Sequence, residues 1–174
     1  MLAEAQRAAE VVRRLRDFFR HGTTRLERVS VGQLLERVRG IEAAGCAISI
    51  TLEVESGLPD ISVDRLQIEL VMRNLVSNAR EALEVQPKGG AITLDARRAD
   101  SRYVRIVISD NGPGLPKGSA DRVFEPFVSG KPTGMGLGLA VSRAIVEAHG
   151  GTLEARFGGH GEFHVLLPVE ATSG

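Results

Sequence analysis

The segment 109–139 limits the possible fold more than any other part of the sequence. It begins where a strand-like run, residues 103–109, ends at Asp110, and it ends at the three alternating glycines Gly134, Gly136 and Gly138. A helical pattern follows these glycines. Glycines at a helix start leave backbone N–H groups uncovered at the positive end of the helix dipole, which suits phosphate. The pattern therefore indicates a nucleotide site.

Between the acid and the glycines lies a connection without strong periodicity, about nineteen residues long (115–133). Connections of this length are uncommon inside compact domains, and they are either functional lids or disordered segments. A lid needs something to cover. The glycines at its end favour a lid over a bound nucleotide.

Composition limits the class of protein. The 174 residues, 43% of them hydrophobic, suffice for one compact domain with a short additional element. The 22 basic and 22 acidic residues cancel, so we expect no nucleic-acid partner. No apolar run approaches the roughly 18 residues of a membrane span, and the start lacks a signal-peptide pattern, so we expect a cytoplasmic fragment of a soluble or membrane-anchored protein. The single cysteine, Cys46, is expected to be a buried thiol.

Residues 1–20 show a heptad pattern that predicts a helix packing against a second copy or another helix. The apolar seam consists of Met1, Ala5, Ala8, Val12, Leu15 and Phe19. His21 and Gly22 are typical of a helix end. We expect residues 23–29 to form a linker and residues 171–174 a disordered tail.

The remaining patterns predict three helices and five strands. A helix is expected from Ser30 to Gly45, and two more over residues 62–85 and 139–149. The strands are expected over residues 46–54, 91–97, 103–109, 152–157 and 162–168. This order predicts an α+β fold, a two-layer sandwich in which helices cover one face of a mixed, mostly antiparallel sheet of about five strands. We expect the chain to divide into a helix with its linker (1–29), one compact domain (30–170) and a disordered tail (171–174).

The helix predicted over 62–85 has a polar edge beside its apolar stripe. Gln67, Asn74, Asn78 and Glu81 lie along this edge. Asparagine is a mediocre helix former, so two at a spacing of four have no propensity reason. They are either solvated surface or neutral oxygen ligands near Mg²⁺ and phosphate. Spacing alone leaves both interpretations open.

Four blocks resemble the ATP-binding domain that sensor histidine kinases share with gyrase and related ATPases, the Bergerat or GHKL fold. The N box resembles residues 64–83, with NLVSNA at 74–79, and the G1 box resembles residues 110–114. The F box resembles FEPF at 124–127, and the G2 box resembles GMGLGL at 134–139. The phrases NLVSNAREAL and FEPFVSGKPTGMGLGLAVSRAIVEAHGG are most similar to histidine kinases of the nitrogen-regulation and oxygen-sensing type.

The resemblance implies ATP and Mg²⁺ as cofactors. It implies that Asn78 binds Mg²⁺, that Asp110 accepts a hydrogen bond from the adenine amino group, and that Lys131 neutralises phosphate charge. Asn74, near the phosphates, completes a catalytic group with Asn78 and Lys131. The implied ATP-binding residues are Asn78, Glu81, Asp110, Gly112, Gly114, Leu115, Phe127, Lys131, Gly134, Met135, Gly136, Leu137, Gly138 and Leu139. The plainer alternatives are a turn acid for Asp110, a solvated lysine for Lys131 and ordinary core for Phe124 and Phe127.

The N box also bears on the reaction. ATP-hydrolysing relatives have a glutamate four residues before the metal-binding asparagine, where this chain has Asn74, so the sequence favours a kinase. The acceptor histidine of such kinases lies on a dimerisation hairpin, and His21 followed by Gly22 does not match it. We therefore expect a fragment whose partners are its own missing hairpin, a second copy and a response regulator. An ATP-driven clamp and a serine kinase or binding module of the anti-sigma type remain alternatives.

Overall fold

A computed structural model describes residues 24–44, 47–84, 89–116, 118–126, 136–156 and 158–170. Within these ranges it contains three α-helices, a 3-10 turn at Arg122–Phe124, and strands in two sheets. The helices are α1 (Val31–Glu42), α2 (Arg65–Leu83) and α3 (Gly138–Ala148). The strands are β1 (Glu27–Val29), β2 (Ser49–Val54), β3 (Ile61–Val63), β4 (Ala91–Arg98), β5 (Tyr103–Asp110), β6 (Thr152–Arg156) and β7 (Gly161–Pro168).

The main sheet has five strands in the order β2-β4-β5-β7-β6. Only β2 and β4 run parallel, and each of the other neighbouring pairs is antiparallel. Burial alternates along β4, β5 and β7, so one face of the sheet is covered and the other is half exposed. The predicted α+β class, with a mostly antiparallel five-stranded sheet, is confirmed.

Apolar side chains of α2 fill the space between the helices and the sheet. The predicted stripe is buried from Ile68 to Ala79, whereas Ala82 is half-buried. The Asp64 side chain accepts a hydrogen bond from the Gln67 backbone N–H at 3.2 Å and caps the helix. Ser30 caps α1 in the same way through Gln33, as the capping-box pattern predicts.

A second, two-stranded sheet corrects two of the sequence predictions. Glu27–Val29, expected to be part of a linker, pairs antiparallel with Ile61–Val63, and α2 begins at Arg65 rather than near Ser62. Strands of three residues are too short to show alternation. Their pairing also joins segments more than thirty residues apart, which local patterns do not report.

Several predictions fall on residues outside the described ranges: the heptad segment 1–20, Cys46 and the tail 171–174. The division at residues 29 and 30 stays a prediction, although β1 belongs to the described fold. Among the described helices, none is long and apolar enough to cross a membrane.

Candidate functional site

Helix α3 packs beside α2 and runs antiparallel to it. At the start of α2, the Asp64 backbone N–H donates to His149 Nε2, at the end of α3, at 3.1 Å. Further along α2, Asn74 Nδ2 donates to Ser142 Oγ at 3.3 Å. The contacts move backwards along α3 as they move forwards along α2. Asn78, one turn beyond Asn74, therefore lies level with the first turn of α3.

The Asn78 side chain has a fixed orientation. Its Nδ2 donates to the backbone oxygen of Asn74 at 3.0 Å. Because a carbonyl only accepts, the amide nitrogen must face Asn74 and the amide oxygen must point away from it. The structure records no donor to this oxygen among the described residues. It is a neutral oxygen of the kind that Mg²⁺ binds.

The acid Asp110 ends β5 and is 6% exposed. Its Oδ1 accepts a hydrogen bond from the Gly112 N–H at 2.8 Å. Gly161 lies opposite Asp110 in the β5–β7 register, and a Cβ at position 161 would approach Asp110 Oδ2 to 2.2 Å. Only glycine leaves room for the carboxylate there. Since burying a carboxylate is costly without hydrogen-bond donors, the Asp110 group is suited to a ligand that donates.

The turn that follows Asp110 is fastened on two sides. Asn111 Oδ1 accepts from the Ala91 N–H at 2.8 Å, and Asn111 Nδ2 donates to the Gly89 carbonyl at 2.9 Å. On the other side, a Cβ at Gly112 would meet Leu83 Cδ2 at 3.5 Å. The turn therefore lies against the end of α2, about one turn beyond Asn78.

Gly114 meets the turn between β6 and β7. Its φ is +74°, and a Cβ there would lie 2.5 Å from the Gly158 carbonyl oxygen and 2.8 Å from that of His160. Both the backbone conformation and the close approach require glycine. The β6–β7 turn thus supports the turn that carries Asp110.

The start of α3 is open. Leu137 is the N-cap residue and makes no side-chain capping bond, and the first turn contains no acid. Gly136 has a φ of +63°, and a Cβ at Gly138 would meet no atom of the described residues within 4 Å. The first N–H groups of a helix have no intrahelical acceptor, so an uncapped start with open space beside it suits a phosphate.

The structure therefore brings together Asn78, the Asp110 turn and the start of α3 at one end of the helical layer. Glu81 is half-buried on the same helix, and Ser77 Oγ donates to its Oε1 at 3.3 Å. Leu115 and Leu139 are half-buried. Phe127, Lys131, Gly134 and Met135 lie outside the described residues.

The arrangement could bind Mg²⁺ through the Asn78 amide oxygen, although not through a cluster of acidic side chains. No group of three or more His, Cys, Asp and Glu side chains in the described ranges is placed to hold a metal ion. Mg²⁺ does not need such a group, because it commonly binds through one or two protein oxygens together with waters and nucleotide phosphates. A single amide oxygen beside an open helix start fits that mode.

The pKa values of His149 and Glu162 are both lowered. His149 is buried, and because its Nε2 accepts from Asp64, its Nδ1 carries the proton and donates to the Ile145 carbonyl at 2.8 Å. Burial lowers the pKa of His149. On β7, the hydrogen bond from His164 holds the pKa of Glu162 below its usual value, with a smaller contribution from His160. His149 ties the far end of α3 to α2.

The first part of the predicted lid is packed against α3. Phe124 is 5% exposed, and its ring lies edge-on to Phe163 with the centroids 6.3 Å apart. The Arg143 guanidinium lies over the Phe124 ring, 4.8 Å from its centroid. Of the two sequence alternatives for Phe124, core packing is the one observed.

Two residues that support the site, Ser142 and Gly161, have no signal in the sequence, and a third, Asn111, has only part of one. Ser142 is fully buried in α3 and accepts from Asn74, but a serine within a helix is unremarkable by spacing. Gly161 adjoins Asp110 only through strand pairing. Asn111 did show its position in the turn, although not its bonds.

Residues 63–171, more than half of the chain, match the family described as "Histidine kinase-, DNA gyrase B-, and HSP90-like ATPase". The chain belongs to this family. The histidine-kinase-like ATPase domain is 37% identical to the C4-dicarboxylate transport sensor protein DctS of Rhodobacter capsulatus, over 97% of this chain and 26% of that protein. It is 40% identical to the sensory histidine kinase/phosphatase NtrB of Klebsiella oxytoca, over 70% of this chain and 37% of that protein.

Solved structures agree with this assignment. The crystal structure of full-length ShkA in complex with AMPPNP is 30% identical, with a TM-score of 0.72, over 84% of this chain and 32% of that one. The resemblance predicted from the four boxes is confirmed, and this ATP-binding domain is the catalytic ATPase domain of sensor histidine kinases. The domain spans about a fifth to a half of the length of the curated relatives it matches.

Proposed function

We propose that this domain binds ATP with Mg²⁺ and transfers the γ-phosphoryl group to a histidine on a dimerisation hairpin, for relay to a response regulator. The proposal rests mainly on one observation. Asn78, the uncapped start of α3 and the buried Asp110 lie at the same end of α2.

Asp110 selects adenine in this proposal. Its carboxylate is buried, and Oδ1 already accepts from Gly112. The exocyclic amino group of adenine donates a hydrogen bond where guanine presents a carbonyl oxygen. A carboxylate facing that carbonyl would be buried without compensation, so the site discriminates against guanine.

The triphosphate lies against the start of α3, where Gly136 turns the chain with its positive φ and a Cβ at Gly138 would meet no described atom within 4 Å. The Asn78 amide oxygen, held by the bond from its Nδ2 to Asn74, is the protein ligand for Mg²⁺. The bound ion would neutralise phosphate charge as the γ-phosphoryl group departs. Lys131, in the role that the family resemblance implies, would add positive charge from the lid.

The site lacks a base for hydrolysis at the family position. Asn74 occupies it, and an amide cannot take a proton from water; its nitrogen donates to Ser142 instead. Transfer to histidine needs no such base, because neutral imidazole is already a nucleophile and the transition state is loose. The new N–P bond forms as the bond to the β,γ-bridging oxygen breaks, ADP leaves, and the imidazole proton passes to solvent.

The described histidines of this domain are poor acceptors. Both nitrogens of buried His149 are hydrogen-bonded, and His160 and His164 both pair with Glu162. The acceptor is therefore proposed to lie on a hairpin whose second helix corresponds to residues 1–20. The heptad pattern of that segment supports a homodimer.

Incubation with γ-labelled ATP and Mg²⁺ tests this function. The domain alone should carry no acid-labile label, whereas an added helical hairpin from a DctS- or NtrB-type kinase, with its histidine, should become labelled. Asp110→Asn should abolish this transfer, and a hairpin lacking the histidine is the control. Label on the domain alone, or steady phosphate release without hairpin labelling, would contradict the proposal.

A further inference from the structure

An apolar patch lies on the outer side of α2. In the described part of the chain five large hydrophobic side chains are exposed, and three of them gather here: Leu26 (47%), Leu66 (67%) and Leu70 (45%). Leu66 and Leu70 are one helical turn apart. Leu26 precedes β1, whose register with β3 brings it opposite the start of α2. We refer to these three side chains as the leucine patch.

The direction in which the chain enters the domain points along this patch. The Arg25 N–H donates to Asp64 Oδ2 at 3.1 Å, and Gln67 Nε2 donates to Thr24 Oγ1 at 3.5 Å. Arg25 therefore contacts Asp64, and the residue before it, Thr24, contacts Gln67, which lies three residues further along α2. Thr24, where the described part of the chain begins, is thus bonded to a residue about one helical turn before Leu70.

The segment 1–20 has more apolar surface than a two-helix seam needs. A coiled-coil seam uses a narrow stripe, here ending in Val12, Leu15 and Phe19. Val11 and Phe18 are also apolar and are seven residues apart. On a helix they share a face beside Leu15, outside the seam. This second stripe would be exposed if the helix contacted only a second copy.

We propose that Val11 and Phe18 of the segment 1–20 pack on the leucine patch, leaving the heptad seam free for another helix. The distance allows it. Phe18 is six residues before Thr24, a reach of up to about 20 Å when extended. Leu70 is only three residues beyond Gln67, about 4.5 Å along the helix.

This contact ties the segment 1–20 to the helix that carries Asn74 and Asn78. A movement of the segment would then be transmitted to α2 directly, rather than only through the connection at residues 21–23. The inference does not depend on the proposed phosphoryl transfer, because it concerns packing alone.

Disulfide trapping in the full 174-residue chain tests the contact. In a Cys46→Ser background, Phe18→Cys with Leu70→Cys should form an intrachain disulfide under mild oxidation, detected by intact mass and faster migration without reductant. A disulfide forms only when the two Cα atoms lie within about 7 Å. The matched control pairs Phe18→Cys with Ile41→Cys, which is 40% exposed on α1 and should stay reduced. No trapping, or trapping between two chains, would overturn the proposal.

A thermal double-mutant cycle gives an independent measurement. Leu70→Gln should lower the unfolding midpoint by about 2–4 °C, the shift that corresponds to about 1 kcal/mol in a chain of this size. In a Phe18→Ser background the same change should have little further effect, because the contact is already lost. Ile41→Gln should behave identically in both backgrounds. Equal shifts for Leu70→Gln with and without Phe18 would contradict the contact.

Discussion

Asn78 presents its amide oxygen to the site because its amide nitrogen is bound to the Asn74 carbonyl. The same bond explains why an asparagine is tolerated within a helix that otherwise disfavours it: the side chain satisfies itself on the preceding turn. The oxygen is then oriented without any help from a ligand, which reduces the entropy lost on binding.

Replacing Asn78 should reduce the dependence of ATP affinity on Mg²⁺. Asn78→Ala removes the proposed Mg²⁺ ligand, so ATP affinity should fall at least about tenfold in the presence of Mg²⁺ and change little in its absence. Titration calorimetry with and without Mg²⁺ measures both. Glu84→Ala, at the exposed end of the same helix, is the control. An undiminished Mg²⁺ dependence would exclude Asn78 as the ligand.

Gly161 determines where the Asp110 carboxylate lies. In Gly161→Ala the new Cβ would come within 2.2 Å of Asp110 Oδ2, so the carboxylate or the strand must shift. We expect nucleotide affinity to fall about tenfold or more, with a stability loss of about 1–3 kcal/mol. Fluorescent-nucleotide titration and urea unfolding measure the two effects.

Gly159→Ala is the matched control for that substitution, since in the part of the chain that the structure describes a Cβ at Gly159 meets nothing within 4 Å. It should leave affinity and stability unchanged. If Gly161→Ala binds nucleotide as tightly as the parent, the carboxylate position is not what determines affinity.

At the scale of elements, the two ends of α3 have different roles. Its start is open to phosphate, while its end is held to the start of α2 by His149, which bridges Ile145 and Asp64. A neutral imidazole is required there, because Nε2 must accept a hydrogen bond. Protonation would replace that acceptor with a donor.

The domain should therefore lose stability in mild acid. Because burial lowers the pKa of folded His149 below its ordinary 6.5, the unfolded chain binds more protons just below that pH. The contribution is complete above about pH 6.5 and declines as the pH falls towards the lower folded pKa. Urea unfolding between pH 5 and pH 8 should show this slope.

In His149→Gln the slope should flatten, and in His160→Gln, whose side chain is 53% exposed, it should persist. Staying above pH 5 avoids Glu162, whose lowered pKa adds stability that is lost only at more acidic pH. An identical slope in His149→Gln and the parent would exclude His149 as its source.

The sequence predicts elements well where their period is strong and long. The apolar stripe of α2 and the alternation in β4 and β5 are visible in the local pattern and agree with the structure. The pairing of β1 with β3 and the parallel pairing of β2 with β4 are not visible, because each joins segments that lie far apart along the chain.

The residues of the site also fall into two groups, those with a local signal in the sequence and those that depend on contacts across the fold. Asp110 and Asn78 can be singled out from the sequence, because each occupies a recognised position in a motif, and their roles stay predictions. Ser142 and Gly161 cannot be, since each matters only through the residue that it meets across the fold. The lid is intermediate: Phe124 is packed as core, while Phe127 and Lys131 lie outside the described residues and keep their predicted roles as proposals.

At the scale of the whole molecule, the proposed site exists only when three distant segments are folded together. Asn78 comes from the last third of α2, Asp110 from the end of β5, and the proposed phosphate-binding amides from the start of α3. The antiparallel packing of α2 and α3 sets the distance between the proposed metal ligand, Asn78, and the proposed phosphate site. The β5–β7 pairing and the Asn111 bonds hold Asp110, the proposed base-binding acid, at the end of α2.

The most direct test of this account is calorimetric titration of ATP into the parent domain and Asp110→Asn. With the amide oxygen facing the Gly112 N–H, the amide nitrogen would meet the adenine amino group, donor against donor. We expect a loss of affinity of about tenfold or more, the value of a hydrogen bond to a charged group, with an unchanged circular dichroism spectrum. Parental affinity in Asp110→Asn would contradict the proposal that this acid binds adenine.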